Sequence, residues 1–296
     1  MDEIFDIGQT LLGFQSSLKL SGESLDEFIT KSYLNKWLSD ELIAALNIRT
    51  TLVVSFHDFL QKEGLINIER VQLSPVTDPL AHDVEHVPQI LYKGCPYVTT
   101  HSMIYNKFLA CINPKIKGIF IDSPNIRLEI EDPYKLQRGK YLIDFSQIDI
   151  ELRRNRYVSY EDYLYNTDNV KKILDEDLEK ALDFFERLII YSIENVLNKN
   201  QKDLDFLDIV IELPKRPFPR FYCDESKKKF GVKNYEAKLG EEVNCQFFWI
   251  LGILRENYDL VYPYILKDGS KVKKEEITSR MIYNYDIMKI SSNIKT

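Results

Sequence analysis

The sequence predicts an α+β protein in which helices flank an antiparallel β-sheet. Two long stretches, 39–63 and 168–198, carry apolar residues at helical spacing over several turns. Two apolar extended stretches, 118–130 and 141–152, enclose a charged loop, which is the pattern of an antiparallel hairpin. Helices and strand pairs that are separated along the chain in this way favour the α+β class over alternating βαβ units.

The remaining elements follow from local patterns in chain order. Residues 1–38 hold two short amphipathic stretches and predict an N-terminal helical arm, followed by one main domain over 39–296. Gly64 is a natural helix stop, residues 65–73 alternate partly as a strand, and Pro75 marks the end of that strand. The other predicted elements are a QILY–PYVTT hairpin turning at Lys93-Gly94, helices over 102–112 and near 224–230, and strands over 207–213, 246–254 and 258–265.

The composition indicates a globular protein of the reducing cytoplasm. Hydrophobic residues make up 44% and charged residues 29% of the 296, and no apolar run approaches the ~20 residues that cross a bilayer. The acidic N-terminus differs from the basic start of a secretory signal. The four cysteines show no CxxC spacing, which argues against a zinc knuckle or a disulfide framework. A net charge of −7 argues against a broad contact with nucleic acid.

The densest group of polar residues lies on the predicted hairpin. Polar and apolar residues alternate in both strands, so that each polar trio shares one face of the sheet. The trios are Asn125, Arg127 and Glu129 in the first strand and Gln147, Asp149 and Glu151 in the second. One interpretation is an exposed face with cross-strand ion pairs, because such a face is costly to bury. The other is a ligand site, since a guanidinium binds phosphate, an aromatic ring stacks on a purine, and carboxylates hold Mg²⁺ or an ammonium group.

Four blocks of the sequence, in order, resemble the motifs of class II aspartyl- and asparaginyl-tRNA synthetases. The blocks are LSPVTDPL (73–80), THSMIYNK (100–107), SPNIRLE (123–129) and DFSQIDIE (144–151). The resemblance is closest to the short archaeal relatives without an anticodon domain, the asparagine-synthetase-A-related family. Four ordered blocks are more specific than one short motif, and the chain has no GxGxxG or GxxxxGKS motif to indicate another nucleotide-binding fold.

The resemblance implies which residues bind ATP. Arg127 is similar to the motif 2 arginine that contacts the α-phosphate and the reacting carboxylate, and Glu129 to the acid at the adenine end. Phe145 is similar to the ring that stacks on adenine. The loop between the two strands resembles the one that closes over the phosphates, with Arg138 or Lys140 as its cation. These assignments make Arg127, Glu129 and Lys140 the candidate catalytic residues.

The resemblance also implies an amino-acid pocket. Gln147 and Asp149 match groups that hold the carboxylate and the ammonium of the substrate, and Lys107 matches the lysine that reads a side-chain carboxylate. The other residues assigned in this way are His101 and Ser102 in the pocket lining, and Glu151 and Asp259 as metal-binding acids.

The chain departs from the family pattern in three places. The glycine-rich motif 3, whose arginine holds the γ-phosphate, has no counterpart, because Arg280 is the only arginine after Leu266 and lacks the surrounding glycines. Ile104 stands where synthetases place a glutamine for the amino group. His82 and His86 would share one face of a helix, but nearby prolines predict a loop there, so a metal site is not assigned to them.

The resemblance implies an ATP- and Mg²⁺-dependent ligase that activates aspartate or a related acidic amino acid as an acyl-adenylate and transfers it to ammonia or another amine. It implies a homodimer, because motif 1 forms the subunit interface in the family. The short N-terminal arm and the negative charge argue against tRNA as a partner. The alternatives are a catalytically degenerate paralogue that binds amino acid or nucleotide and regulates a partner, and a ligase that makes an unusual amide or peptide bond.

Overall fold

A computed structural model describes residues 37–75, 89–126, 144–153, 156, 168–232, 235–243, 246–253 and 284–289. Residues 1–36 of the predicted N-terminal arm lie outside the described residues. The chain divides into two compact units, the first formed by Met1–His57 and Ile189–Leu213 and the second by Asp58–Leu188 and Pro214–Thr296.

Helices form most of the described part of the first unit. Helix α1 (Asp40–Lys62) begins where the Ser39 hydroxyl accepts a hydrogen bond from the Leu42 amide at 3.1 Å, and acidic residues fill its first turn. It ends at Gly64, whose φ of 83° allows the Leu65 amide to reach the Leu60 carbonyl at 3.0 Å. The unit also contains the last turns of a 32-residue helix, Asp168–Lys199, and a short helix, Gln201–Phe206.

The described residues of the second unit form three three-stranded sheets, and these elements confirm the predicted α+β class. After α1, the described elements of the whole chain are, in order, β1 (Ile66–Asn67), β2 (Leu73–Ser74), β3 (Gln89–Tyr92), β4 (Cys95–Thr99), α2 (Ile104–Ile112), β5 (Gly118–Ile126), β6 (Asp144–Leu152), α3 (Asp168–Lys199, which spans both units), α4 (Gln201–Phe206, in the first unit), β7 (Arg220–Tyr222), α5 (Cys223–Phe230), α6 (Tyr235–Val243), β8 (Phe247–Ile253) and β9 (Asn284–Lys289). The sheets have the orders β1-β5-β6, β2-β4-β3 and β7-β8-β9. Strands β1 and β7 pair in parallel with β5 and β8, and the other pairs are antiparallel.

The core of the second unit lies around the central strands β5 and β8. Three consecutive residues of β5, Ile119–Ile121, are fully buried, and the residues 248–250 of β8 are at most 1% exposed. Both strands are therefore covered on both faces, which explains their continuous apolar runs. Helix α3 is tied to β8 by the buried carboxylate of Glu186, which accepts hydrogen bonds from Trp249 Nε1 at 2.9 Å and from the Phe218 amide at 3.0 Å.

Several predicted boundaries hold. The hairpin turn at Lys93-Gly94 is confirmed, with both residues in the left-handed region that a tight two-residue turn requires. The two long helices are confirmed, and the described parts of the predicted hairpin pair as β5 and β6. The prediction of one strand over residues 65–73 is wrong, because this segment contributes to two short strands, β1 and β2, which belong to different sheets.

The prediction of a strand over 207–213 is wrong. The chain leaves α4 through Asp208, which has a φ of 54°, and the Ile209 amide bonds back to the Leu204 carbonyl at 2.9 Å. Residues 209–213 then belong to no sheet in the described part of the chain. The β-branched composition of this segment indicates strand propensity, but a strand also needs a neighbour to pair with.

Where the structure describes the chain, no helix is long and apolar enough to pass through a membrane.

Candidate active site

Hydrogen bonds hold the segment before α2 against the end of β5. The Thr100 carbonyl accepts from the Ile126 amide at 2.9 Å, while the Thr100 amide donates to the Gln72 carbonyl at 3.1 Å and its hydroxyl to the Val71 carbonyl at 2.5 Å. Helix α2 starts four residues later and contacts both β5 and β6. The buried His101 and half-buried Ser102, both predicted pocket residues, lie in this segment.

The register of β5 and β6 places the predicted polar residues on one face. Gln147 lies opposite Ser123, Phe145 opposite Asn125, and Asp149 opposite Ile121. Directly opposite residues of an antiparallel pair point to the same side, with Cβ atoms ~5 Å apart. The prediction that Gln147, Asp149 and Glu151 share a face with Asn125 is therefore confirmed.

Lys107 of α2 reaches this face and meets two carboxylates. Its Nζ lies 3.4 Å from Asp149 Oδ2 and 3.4 Å from Glu151 Oε1, and the lysine is only 9% exposed. Gln147 Nε2 donates to Asp149 Oδ1 at 2.7 Å, which orients that carboxylate. One ammonium and two carboxylates in a largely buried setting leave the cluster with a formal charge of −1. Such a cluster attracts cationic or N–H-rich groups.

The thiol of Cys111 lies one helical turn after Lys107, and the charge of Glu151 affects its pKa. Its pKa is raised, first by burial and then by the negative charge of Glu151, while Arg153 acts in the opposite direction. A raised pKa keeps the thiol protonated, and so chemically quiet, at neutral pH.

The same face carries two fully buried polar residues, Asn125, which belongs to the predicted polar trio but was given no role, and Ser123, which was not assigned to the site. Asn125 Nδ2 donates to the Ser123 carbonyl at 3.0 Å, whereas Asn125 Oδ1 and Ser123 Oγ have no hydrogen-bond partner among the described residues. Both residues continue the period-two pattern of Arg127 and Glu129 toward the start of β5. That pattern was the signal from which they could have been assigned.

The remaining predicted site residues fall in two groups. Phe145 is half-buried and lies opposite Asn125. The residues outside the described part of the chain are Arg127, Glu129, Arg138, Lys140, Asp259, His82 and His86. In the sequence Arg127 is the next residue after Ile126, the last described residue of β5, and Glu129 comes two residues later.

The predicted metal-binding acids are Glu151 and Asp259, and Asp259 lies outside the described residues. Among the described residues, no group of three or more histidine, cysteine or acidic residues could hold a metal ion. The carboxylate of Glu151, a predicted metal ligand, lies 3.4 Å from Lys107 Nζ.

Comparison with known structures identifies the fold that carries this face. The asparaginyl-tRNA synthetase of Pyrococcus horikoshii, complexed with asparaginyl-adenylate, aligns over 85% of this chain and 52% of its own with a TM-score of 0.59 and 15% identity. The aspartyl-tRNA synthetase of Entamoeba histolytica aligns over 90% and 47% with a TM-score of 0.55 and 16% identity. The fold is that of the class II aminoacyl-tRNA synthetases.

Sequence comparison points to the same branch of class II. The aspartate–tRNA(Asp) ligase of Pyrococcus furiosus is 22% identical over 272 residues, and that of Thermococcus kodakarensis is 22% identical over 227 residues. These alignments cover 92% and 76% of this chain and support homology to the class II aspartyl- and asparaginyl-tRNA synthetases. The chain spans about half the length of the curated relatives it matches, 55% and 45% respectively. No family model matches the chain.

Proposed function

We propose that the protein is an ATP-dependent, AMP-forming ligase that activates aspartate or a related acidic amino acid and passes it to ammonia or another amine. The observation that carries this proposal is the cluster of Lys107, Gln147 and Asp149 on the β5–β6 face of a class II fold. Homology to aspartate-specific ligases supports amino-acid activation in general, and the lysine in the cluster supports an acidic side chain.

Two balanced steps make up the proposed reaction. A carboxylate oxygen of the amino acid attacks the α-phosphorus of ATP, the bond to the bridging oxygen breaks, and pyrophosphate leaves. The nitrogen of the amine then attacks the acyl carbon, AMP leaves with the bonding pair, and the nitrogen loses a proton. Neither step needs a protein nucleophile, so the rate would come from alignment of the reactants and from stabilisation of the developing phosphoryl charge.

The residues of the site divide these tasks in the proposal. Lys107 binds the side-chain carboxylate, while Gln147 and Asp149 position the α-amino acid group. Arg127 contacts the α-phosphate and Phe145 stacks on adenine. His101 and Ser102 line the pocket, Glu129, Arg138 and Lys140 contact ATP, and Glu151 and Asp259 are candidate partners of the Mg²⁺ that accompanies ATP.

Amino-acid-dependent exchange between ATP and labelled pyrophosphate tests the proposal directly. With a panel of the twenty amino acids, we expect exchange with aspartate and a loss of about 10- to 100-fold in kcat/KM in Lys107→Ala, since a hydrogen bond to a charged group contributes about 1.5–3 kcal/mol. Lys202→Ala removes an exposed lysine of α4 and serves as the control. If Lys107→Ala exchanges with aspartate as fast as the wild type, Lys107 does not bind the side-chain carboxylate of the substrate.

The acceptor and the oligomeric state belong to the same proposal. The assay is repeated with ammonia, with a panel of amines and with tRNA, while AMP release is followed. AMP release that is stimulated by ammonia supports the amide-forming reaction. Formation of aminoacylated tRNA would show instead that the acceptor is tRNA.

We also propose a homodimer, and a monomer mass by sedimentation velocity at micromolar concentration would contradict it.

One observation favours a second candidate function, a degenerate paralogue that binds without turnover. Lys107 already has two carboxylate partners, so the cluster can act as a structural ion-pair network. Calorimetry with aspartate and ATP separates the two functions. Binding without pyrophosphate release across all acids and amines would support the paralogue.

A further inference from the structure

Thr100 joins three segments of the chain through three hydrogen bonds. Its hydroxyl donates to the Val71 carbonyl at 2.5 Å and its amide to the Gln72 carbonyl at 3.1 Å, while its own carbonyl accepts from the Ile126 amide at 2.9 Å. The residue is only 7% exposed, so water competes little for these bonds. The three bonds connect the segment before β2, the segment after β4 and the end of β5, and thereby link the β2-β4-β3 sheet to the β1-β5-β6 sheet.

The start of helix α2 is bonded to the same segment. The Val71 amide donates to Met103 Sδ at 3.2 Å, and Met103 is 1% exposed. The Met103 carbonyl accepts from the Lys107 amide at 3.0 Å and so begins the turn that carries this lysine. Residues 71–72 are thus bonded to both ends of the stretch 100–103. A stretch held at both ends leaves the first turn of α2 little freedom to move relative to β5.

Two parts of the proposed site meet at this junction. On one side, α2 presents Lys107, which binds the acidic side chain in the proposed reaction. On the other side, Ile126 ends the described part of β5, and Arg127, the proposed contact of the α-phosphate, is the next residue in the sequence. Attack of the carboxylate on phosphorus requires aligned substrates, and a displacement of ~1 Å can reduce the rate about 100-fold. The bonds of Thr100 therefore act on the alignment on which the proposed chemistry depends.

We propose that Thr100 is a positioning residue that sets the relative position of the amino acid and ATP, acting through Lys107 and Arg127 rather than by contact with either substrate. The inference rests on the proposed amino-acid activation. Of its three bonds only the one from the hydroxyl depends on the side chain, so a substitution can remove this bond alone. Valine has nearly the shape of threonine but no donor, whereas serine retains the hydroxyl.

The kinetics of aspartate-dependent exchange between ATP and pyrophosphate test this role. In Thr100→Val we expect kcat to fall about 10-fold while the KM values for aspartate and ATP stay within about 2-fold of the wild type, because each binding group is intact and only the alignment changes. Thr100→Ser should restore kcat to within about 2-fold of the wild type. Ser226→Ala removes another buried hydroxyl that donates to a backbone carbonyl, that of Tyr222 at 2.9 Å, and should leave kcat and both KM values unchanged.

A measurement without substrates separates positioning from a general loss of folding. Hydrogen exchange of the full chain, resolved to single residues by mass spectrometry, reports on the Ile126 amide that donates to Thr100. We expect this amide to exchange roughly 3-fold or more faster in Thr100→Val and at the wild-type rate in Thr100→Ser. Urea denaturation shows whether each variant is folded under the assay conditions. If Thr100→Val does not fold, Met103→Leu, which removes the sulfur acceptor of Val71 and nearly conserves volume, takes its place with the same expected split between kcat and KM.

Each outcome decides the inference. A lower kcat at unchanged KM, restored by serine, supports it. A kcat equal to that of the wild type, a parallel rise in both KM values, or a loss that serine does not restore would overturn it while the proposed function stands. If the wild type exchanges pyrophosphate with none of the twenty amino acids, the proposed function and the inference both fail.

Discussion

Lys107 illustrates how a single residue derives its properties from its neighbours. An isolated lysine on a helix is usually solvated, and its role here depends on a buried position between Asp149 and Glu151. Removal of one member of such a group leaves uncompensated charge in a poorly solvated place. The effects of substitutions at Lys107 should therefore be read together with the stability of each variant.

Cys111 provides a chemical probe of this electrostatic field. Glu151 raises the pKa of the thiol, so Glu151→Gln should lower that pKa and increase the thiolate fraction. Because the thiolate is the reactive species, we expect alkylation of Cys111 by iodoacetamide at pH 8 to be several-fold faster in this variant. Peptide mass spectrometry measures the rate at this position. Glu225→Gln, which alters an exposed acid of α5, should leave the rate unchanged, and equal rates in all three proteins would contradict the assigned charge effect.

The residues of the site could be predicted from the sequence in part. The period-two alternation was sufficient to place Gln147, Asp149 and Glu151 on one face, and resemblance to a family added Lys107 from a separate helix. Asn125 was placed on this face but given no role, and Ser123 was not assigned, because burial and hydrogen-bond partners are properties of the packed structure. No pattern of residue types shows which buried atoms will find partners.

At the scale of elements, a glycine sets how closely β5 and β6 approach. A Cβ atom on Gly118 would lie 2.7 Å from the Glu151 carbonyl oxygen and 3.2 Å from Leu65 Cγ. The first contact is with backbone, so it cannot be relieved by rotation of a side chain. Gly118 therefore allows the end of β6, which carries Glu151, to lie directly against β5.

Gly118→Ala should consequently destabilise the protein and displace the site. We expect a loss of about 1–3 kcal/mol in the free energy of unfolding, typical of overpacking, measured by urea denaturation. Gly94→Asn is a suitable control, because its Cβ would meet nothing within 4 Å and asparagine tolerates the left-handed region. A Gly118→Ala protein as stable as the wild type would show that the two strands can separate at little cost.

Elements were predictable where one local pattern dominates. The long helices and the Lys93-Gly94 hairpin satisfy this condition, because their periodicity and turn residues leave no competing choice. The strand over 207–213 failed, since strand formation requires a partner that local sequence does not reveal. Strands β7 and β9 and helices α4 and α6 were not predicted, because their short segments carry too few residues to establish a period.

At the scale of the molecule, ion pairs connect distant parts of the second unit. Arg187 Nη1 donates to Glu63 Oε1 at 2.6 Å, and the guanidinium also lies over the rings of Phe59 and Phe184. The hydrogen bond from Arg187 is the main reason that the pKa of Glu63 is lowered. The pKa of Glu176 is lowered as well, chiefly by its hydrogen bond from Arg156.

These lowered pKa values predict a loss of stability in acid. A carboxyl group with a lower pKa in the folded state stabilises the protein above its unfolded-state pKa, and this contribution disappears as the pH falls through the folded-state pKa. Glu63→Gln should therefore reduce stability by about 0.2–1 kcal/mol at pH 7 and have a smaller effect at pH 3.5. Urea denaturation at both pH values measures the difference. An effect that grows on acidification would contradict the assigned pair.

Residues 209–213, which belong to no described sheet, should affect the behaviour of the protein in concentrated solution. Ile209, Val210 and Leu213 are 42%, 69% and 42% exposed in a stretch with high strand propensity. Exposed apolar segments with high strand propensity can act as templates on which molecules aggregate. Net negative charge keeps the molecules apart, and that repulsion vanishes near the isoelectric point of about 5.3. Precipitation should therefore begin at mildly acidic pH, before the fold itself is lost.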